Sequence, residues 1–224
     1  VIANPPWNQD GYDEVVLKKG DFWKQRFNYG FVPKQSADWA WIQHMLASSK
    51  GKVGIVIDNG CLFRGGKERA IRMLAIDGDA RLKGDLIESV ILLPEKLFYN
   101  TGAPGAIIIF NKNKKHKNGV LFINASSEYE QHPDVRKLNW LSTSNIKKLV
   151  DTYKGWKEKE GFSRMVPLDE IRKNDYNLNV SLYVYPEEKT EVIDVMKEWA
   201  DLKAIEKEEI EVDKKIEGYL KEIK

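Results

Sequence analysis

The sequence has little of what many small sites and scaffolds are built from. Of its 224 residues only Cys61 is a cysteine, and three are histidines. A single cysteine excludes an intramolecular disulfide scaffold and any zinc site made of four cysteines. No apolar run approaches the roughly 18 residues that a membrane-spanning helix needs. We therefore expect a cytoplasmic protein that makes no membrane contact.

An excess of charge of either sign is also lacking. The chain has 36 lysines and arginines against 34 acidic residues, for a net charge of +2. This balance does not by itself indicate a nucleic-acid binder, so any basic surface must be local. Two such segments are candidates for contact with DNA: segment 8–35 could close over it, and segment 112–117 could contact phosphate, with a solvated hairpin loop as the alternative for the second. Their basic residues are Lys18, Lys19, Lys24 and Arg26 in segment 8–35, and Lys112, Lys114 and Lys115 in segment 112–117.

Short β-branched runs alternate with helical patterns in the first part of the chain. Strands are predicted at residues 53–57, 86–93, 106–110 and 120–124, and helices at 36–49, capped by Ser36, and at 68–76. This alternation predicts an α/β sheet with helices on both faces. The connection from Pro94 to Gly105 has no helix. We therefore expect the last strands to pair antiparallel at the edge of the sheet.

The composition changes after residue 125, and we predict three segments: a sheet domain (1–125), an extension (126–186) and a long helix (187–224). In the extension we expect a helix at 142–160 and a strand at 180–185. In the last segment, apolar residues from Val192 to Ile223 recur at alternating steps of three and four if Glu209 fills one position, with one break between Leu202 and Ile205. This narrow seam favours a coiled-coil partner helix, and a helix packed on its own domain is the alternative.

The tetrapeptide Asn4-Pro5-Pro6-Trp7 follows an apolar start that resembles the end of a buried strand. The two prolines remove two backbone donors, so the local carbonyls, notably that of Pro5, are available as acceptors. Asn4 adds a side-chain carbonyl and Trp7 a flat apolar face. Two acceptors and an aromatic ring suit a planar ligand with an amino group, such as adenine. A structural turn is the alternative.

The exocyclic amine of adenine is a poor nucleophile because its lone pair is delocalised into the ring. Two hydrogen bonds from that amine to fixed acceptors favour a more tetrahedral nitrogen, which attacks a methyl donor in line. The base must leave the duplex to reach such a pocket, and an aromatic ring stabilises it there. The pattern is therefore typical of amine methylation without a metal.

The Asn-Pro-Pro-aromatic motif resembles the catalytic motif of N6-adenine DNA methyltransferases. Further segments, in the same order, are similar to the modification (M) subunit of type I restriction-modification systems. They are residues 36–46 (SADWAWIQHML), 54–63 (GIVIDNGCLF), 65–68 (GGKE), Ile71-Arg72, Leu93-Pro94, Phe98, 101–110 (TGAPGAIIIF) and 174–184 (NDYNLNVSLYV). This resemblance implies a partial Rossmann-like class I methyltransferase sheet with an antiparallel edge hairpin, followed by a helical carboxyl-terminal extension.

The resemblance also implies roles for single residues. The motif Asn4-Pro5-Pro6-Trp7 would be catalytic, with Asn4 and Pro5 accepting the adenine amine. Trp7 would stack on the flipped base, in place of the smaller phenylalanine or tyrosine that is more usual there. Three further residues would border the adenine, namely Asp58, Asn59 and Phe98.

In this family the cofactor S-adenosylmethionine binds a Gly-rich turn and an acidic residue on strands that precede the catalytic motif. Gly65-Gly66 follows the motif, so it is not that turn, and only Asn4 is a candidate for cofactor contact here. We therefore expect this chain to be the carboxyl-terminal half of an M subunit. Alone it should bind the cofactor poorly and be inactive.

The expected partners are double-stranded DNA, a specificity (S) subunit that reads the target sequence, and a restriction (R) subunit. The terminal helix is expected to dock on the S subunit or on a second M subunit. Two alternatives remain open. One is a non-catalytic assembly or DNA-binding fragment of the same complex. The other is a protein-glutamine N-methyltransferase, since an amide amine poses the same chemical problem.

Overall fold

The computed structural model describes residues 1–21, 23–186 and 194–222. The chain divides into two compact units, Val1–Glu187 and Glu188–Lys224. The first unit contains a mixed six-stranded sheet with helices. The second contains one long helix. No helix in these described ranges is long and apolar enough to cross a membrane.

The main sheet has the strand order β1-β2-β4-β3-β5-β8. Its strands are β1 (Ile2–Ala3), β2 (Lys52–Asp58), β3 (Ile87–Leu92), β4 (Gly105–Asn111), β5 (Gly119–Asn124) and β8 (Ser163–Pro167). β1 runs parallel to β2 and β3 parallel to β5, whereas β4 is antiparallel to both of its neighbours. A separate two-stranded sheet pairs β6 (Glu130–Gln131) with β7 (Asn139–Trp140).

Seven α-helices and two 3-10 turns are present in the described ranges. The helices are α1 (Glu14–Leu17), α2 (Trp23–Arg26), α3 (Asp38–Ser48), α4 (Gly66–Asp77), α5 (Thr143–Gly155), α6 (Leu168–Lys173) and α7 (Val195–Glu222). The 3-10 turns are Asn59–Leu62 and Val180–Leu182. Segment 8–35, which has no clean periodicity, thus contains two short helices, and its Leu17, Phe27 and Val32 are buried.

Two apolar clusters lie on the two faces of the sheet. Along β2 the residues Val53, Ile55 and Ile57 alternate inward and pack with α3, α4 and α6 in the larger cluster. The smaller cluster joins Ile91 of β3 and Ile123 of β5 to α5. This period of two is what a strand with two distinct faces requires. The predicted helices on both faces are confirmed, as are the four predicted strands.

The predicted edge hairpin is wrong in its location. β3 and β4 do pair antiparallel, but β4 lies between β2 and β3, and β5 adds in parallel on the other side of β3. All six residues of β3 are buried. A strand buried along its whole length leaves no backbone group for water, so it needs a partner strand on each side. β8, within the extension, then pairs with β5.

Two local predictions fail because side chains make other hydrogen bonds. Ser36 does not cap α3, since its hydroxyl donates to Glu68 at 2.8 Å and Ala37 occupies the cap position. Residues 180–185 are not a strand, because the side chain of Asn179 accepts from the Ser181 N–H and starts a 3-10 turn. In the last segment α7 is present, while Val192 and Ile223 of the predicted seam lie outside the described residues.

Candidate functional site

A cavity of about 440 Å³ opens where β1 and β2 end. Its lining combines residues from the turn after β1, the end of β2 and the loop between β3 and β4. They are Asn4, Pro5, Trp7, Asn8, Asp58, Phe98, Tyr99, Asn100 and Thr101. The structure therefore brings together five residues predicted for the site, Asn4, Pro5, Trp7, Asp58 and Phe98. Pro6 is exposed beside the cavity and does not line it.

Strand pairing explains why these residues meet. Ile2 pairs with Gly54 and Ala3 with Ile55 in a parallel ladder, so the carboxyl ends of β1 and β2 share one edge of the sheet. In open α/β sheets this edge is where ligands bind. β4 runs in the opposite direction, and its first residue, Gly105, pairs with Asp58. The cavity thus lies over the junction of three strands.

The aromatic wall of the cavity is built on Gly105. The rings of Trp7 and Phe98 meet edge to face, with centroids 4.6 Å apart and planes at 68°. A Cβ atom added to Gly105 would lie 2.7 Å from Cη2 of Trp7 and 2.9 Å from Cε2 of Phe98. Only glycine lets both rings approach the backbone this closely. Sequence reasoning missed this role, although Gly105 belongs to the quoted segment TGAPGAIIIF.

The turn that carries Trp7 is held by polar contacts from a second layer. Asn8 has a left-handed backbone (φ 51°), and its N–H donates to the Asp38 carboxylate at 2.9 Å. The Arg64 guanidinium contacts both the side-chain oxygen of Asn8 and the carboxylate of Asp58. Arg64 therefore ties the turn after β1 to the end of β2. The position of Trp7 depends on this tie.

Arg64 is the centre of a largely buried charge network. It also donates to Asp38 at 2.9 Å and to the hydroxyl of Ser36 at 3.0 Å, and it lies near Glu68. Asp38 and Glu68 have no exposed surface. Burial raises the pKa of Glu68, and the contacts with Ser36 and Arg64 offset this only in part. Because these residues are scattered over the sequence and each resembles an ordinary surface residue, no local pattern predicts the network.

Asp58 and Asn59, both predicted to border the adenine, differ in their position relative to the cavity. Asp58 lines the cavity, but its carboxylate is engaged by Arg64 and by the Gly60 N–H at 3.0 Å. Asn59 does not line the cavity. Its side-chain oxygen is buried and has no hydrogen-bond partner among the described residues. The predicted contact between Asn59 and the base is therefore not supported, because the chain turns into the 3-10 turn at this residue.

The predicted phosphate contacts of segment 112–117 lie away from this cavity. The segment follows the end of β4, whose first residue is at the cavity, so it lies at the opposite end of the sheet. Lys114 is buried, and its ammonium group pairs with Asp85. Burial lowers the pKa of Lys114. The prediction for Lys114 is wrong, since its charge is used inside the protein. Lys112 donates to the Ser49 carbonyl at 2.6 Å, and Lys115 is exposed.

In segment 8–35 most of the basic side chains contact nearby groups. Lys18 pairs with Glu14 at 2.6 Å, and Lys24 pairs with Asp21 at 3.1 Å. Arg26 donates to Ser48 at the end of α3, whereas the start of α3 is the end beside the cavity. Lys19 is exposed. The structure does not bring Arg26 to the cavity.

Two kinds of chemical group line the cavity. Trp7 and Phe98 offer aromatic surface, and Asn4 offers an exposed side-chain amide at the end of β1. The acidic side chain of the lining, Asp58, is already paired with Arg64 and does not offer a free carboxylate for a ribose. The cavity therefore provides an aromatic surface with nearby hydrogen-bonding groups.

Residues 1–192 match the N-6 DNA methylase family. Since the match covers most of the chain, the protein belongs to this family. Its relatives are named as subunits of type I restriction enzymes. The chain is 56% identical to the type I restriction enzyme MjaVII methylase subunit and 52% identical to the MjaVIII methylase subunit, both of Methanocaldococcus jannaschii. These matches cover 99% and 100% of this chain but 38% of each relative.

Solved structures agree with this membership. The methyltransferase subunit of a type I restriction-modification system from Streptococcus thermophilus superposes with a TM-score of 0.69 at 30% identity, covering 82% of this chain and 37% of that one. The EcoKI M protein has a TM-score of 0.58 at 14% identity, covering 84% of this chain and 44% of that one, and shows the fold alone. The chain thus spans well under half the length of these relatives.

Proposed function

We propose that this chain forms the target-base side of the active site of a type I modification subunit, which methylates the N6 amine of adenine in DNA. One observation carries the proposal. Asn4 and Pro5 line the same cavity as the edge-to-face pair of Trp7 and Phe98, at the carboxyl end of β1. The family match makes DNA a better substrate class than protein glutamine.

In this proposal the chain binds and orients the base. Trp7 stacks on an adenine that has left the duplex. Phe98 supports the Trp7 ring through their edge-to-face contact. The side-chain carbonyl of Asn4 and the main-chain carbonyl of Pro5 accept hydrogen bonds from the exocyclic amine, which directs its lone pair away from the adenine ring. S-adenosylmethionine, bound mainly by residues outside this chain, supplies the methyl group.

The remaining partners follow from the same proposal. A specificity subunit reads the target sequence, and a restriction subunit joins the full complex in the cytoplasm. Helix α7 is the proposed contact to the specificity subunit or to a second modification subunit. Large apolar side chains recur along it with exposed surface, namely Val195, Trp199, Leu202, Ile205, Val212 and Ile216. Such spacing is typical of helices that pair with another helix.

The proposal is tested by complementation, in which this chain is mixed with the cofactor-binding portion of a type I methylase subunit and with its specificity subunit. We expect each piece alone to be inactive and the mixture to transfer a labelled methyl group to DNA. Asn4→Ala should lower that rate at least about 100-fold, because positioning of the amine is lost, with DNA binding retained. Asn28→Ala changes an exposed asparagine elsewhere and should leave the rate unchanged.

Two outcomes contradict the proposal. If Asn4→Ala methylates DNA as fast as the parent, the motif does not position the base. If the mixture binds DNA and the specificity subunit but transfers no methyl group, the chain is an assembly module.

A further inference from the structure

A second cavity, of about 480 Å³, lies at the opposite end of the sheet from the Asn4 motif. It opens between the start of β2, the loop after β4 and the end of α5. The lining residues are Gly51, Lys52, Glu88, Asn111, Asn113, Lys115, His116, Tyr153, Lys154 and Trp156. Neither the family match nor the methylation proposal assigns a role to this place.

One wall of the cavity is a fixed polar network around Glu88. The carboxylate of Glu88 is 4% exposed and accepts from Asn111 at 2.8 Å, from the Tyr153 hydroxyl and from the Lys52 ammonium at 3.0 Å. Burial acts to raise the pKa of Glu88, but these hydrogen bonds outweigh it and hold the pKa below its ordinary value. The carboxylate is therefore ionised and satisfied. Lys52 also donates to the Tyr153 hydroxyl at 2.8 Å, so one of its three N–H groups is left for a ligand.

The cavity carries an excess of positive charge. Three lysines line it, Lys52, Lys115 and Lys154, against one carboxylate. Lys115 and Lys154 are exposed, from the loop after β4 and the last turn of α5. Two ammonium groups from separate elements on one cavity, with no second acid in the lining, suit an anion.

Another wall is aromatic. The rings of His116 and Trp156 stack with centroids 4.1 Å apart and planes at 8°. Trp156 follows the last residue of α5 in a left-handed conformation (φ 50°, ψ 43°). A bulky side chain rarely adopts this backbone, and such strain in folded proteins clusters at functional sites. The strained residue here is the one that supports the flat wall.

We propose that this cavity binds a nucleotide, with the base on the His116–Trp156 stack and the phosphate between Lys115, Lys154 and Lys52. The volume is in the range of small-molecule sites. A flat aromatic wall together with lysines is the combination that binds nucleotides through stacking and charge. The nucleotide is either free or part of a nucleic-acid strand. The proposal does not rest on the methylation activity.

The test is isothermal titration calorimetry on the purified chain with four probes: AMP, adenosine, inorganic phosphate and a short oligo(dA) strand. We expect AMP or oligo(dA) to bind more tightly than adenosine or phosphate. Only the first two carry both a base for the aromatic stack and a phosphate for the lysines. Tighter binding of oligo(dA) than of AMP at equal nucleotide concentration identifies a strand as the source. The reverse order identifies a free nucleotide.

Two variants separate binding from folding. Lys115→Ala with Lys154→Ala should raise the dissociation constant at least about tenfold, because two charged contacts are lost. Trp156→Gly removes the ring and suits the left-handed backbone, so it should abolish the contribution of base stacking to binding. Because Trp156 also packs against the smaller apolar cluster, we expect a lower melting temperature with a transition that stays cooperative. Lys137→Ala with Lys173→Ala removes the same charge from exposed positions elsewhere and should bind as the parent does. The proposal is overturned if neither nucleotide probe binds, or if both lysine pairs have the same effect.

Discussion

At Gly105 the backbone of β4 passes beneath two aromatic rings of the candidate active site. The close approach leaves no space for a Cβ atom beside Trp7 or Phe98. The residue thus acts through its lack of a side chain, which lets both rings lie against the strand. Its neighbour in the loop, Gly102, has open space around the same position.

Gly105→Ala should displace one or both rings. We expect the free energy of unfolding to fall by about 1–3 kcal/mol, as for other overpacked positions, and methylation by the complemented complex to fall with it. Urea unfolding and the methyl-transfer assay measure the two effects. Gly102→Ala is the matched control and should change neither. A Gly105→Ala variant with parental stability and rate would show that the rings are not held against this strand.

Glu88 should make stability depend on pH in acid. Its folded-state pKa lies below the ordinary value of 4.5, so the folded state binds fewer protons than the unfolded state in this range. Its stabilising contribution is then complete above about pH 4.5 and is lost as the pH falls through the folded-state pKa.

Glu88→Gln should therefore be less stable than the parent at pH 7, by about 1–3 kcal/mol, since a buried hydrogen-bonded carboxylate is lost. The difference in unfolding free energy should narrow as the pH falls below 4.5. Urea titrations of both proteins at pH 7 and at decreasing acidic pH give this difference. A gap that stays constant, or widens in acid, would contradict the lowered pKa. Glu95→Gln, at an exposed glutamate, is the control and should show no such gap.

Single residues differ in how well the sequence predicts them. Asn4 and Trp7 lie in one short motif, so their chemistry is visible without a structure. Arg64 and Asp38 are far apart in sequence, and their contact exists only after α3 packs beside the end of β2. Lys114 belongs to a basic run that resembles a solvated loop, yet it is buried, and Asp85 compensates its charge.

At the scale of elements, α5 contributes most to the second face of the sheet. Leu149 of α5 packs in the smaller apolar cluster with Ile91 and Ile123. The start of the helix is fixed by a capping box: the N–H of Ser142 donates to the Asn145 side chain at 3.0 Å, and the hydroxyl of Ser142 caps the Asn145 N–H. A sequence pattern of this kind predicts a helix start well.

Ser142→Ala should lower the free energy of unfolding by about 0.5–2 kcal/mol, because one helical N–H loses its partner. Chemical denaturation monitored by circular dichroism measures the change. Ser127→Ala, at an exposed serine ahead of the same helix, should be neutral. Equal effects of the two substitutions would mean that the cap contributes nothing to stability.

Strands were predicted better than their order in the sheet. Each β-branched run is a strand because its residues suit a buried sheet. The order depends on which edges remain open after other strands have paired, and no single run carries that information. The location of β4 between β2 and β3 is therefore a property of the assembled sheet.

On the scale of the whole molecule, the two cavities lie at opposite ends of β2. Asp58 ends this strand at the first cavity, and Lys52 begins it at the second. Six residue steps along the strand separate Lys52 from Asp58, which is roughly 20 Å. Although the net charge is near neutral, the second cavity has a local excess of positive charge. The sequence predicts that any basic surface must be local, but it does not show where that surface forms.

The second face of the sheet carries an apolar groove that is open to solvent. A cavity of about 260 Å³ there is lined by eight apolar or aromatic residues, including Ile107 and Ile109 of β4. Ile146 and Val150 on α5 remain exposed beside it. The chain spans 38% of the length of these relatives. The sequence motifs identify the family, but they do not predict this exposed apolar groove.

The central place of β4 also has a consequence for the order of folding events. β2 pairs with β1, far ahead of it in the chain, and with β4, far behind it. Asp58 pairs with Gly105 only when the segment between them, which contains α4 and β3, brings its two ends together. Pairing over such a sequence separation is slow compared with helix formation. Asn4 precedes β4 in the chain, so during synthesis the motif leaves the ribosome before β4 and acquires its aromatic wall only afterwards. The candidate active site is therefore completed late in folding. Until β4 pairs with β2, the turn that carries Trp7 has no strand to pack against.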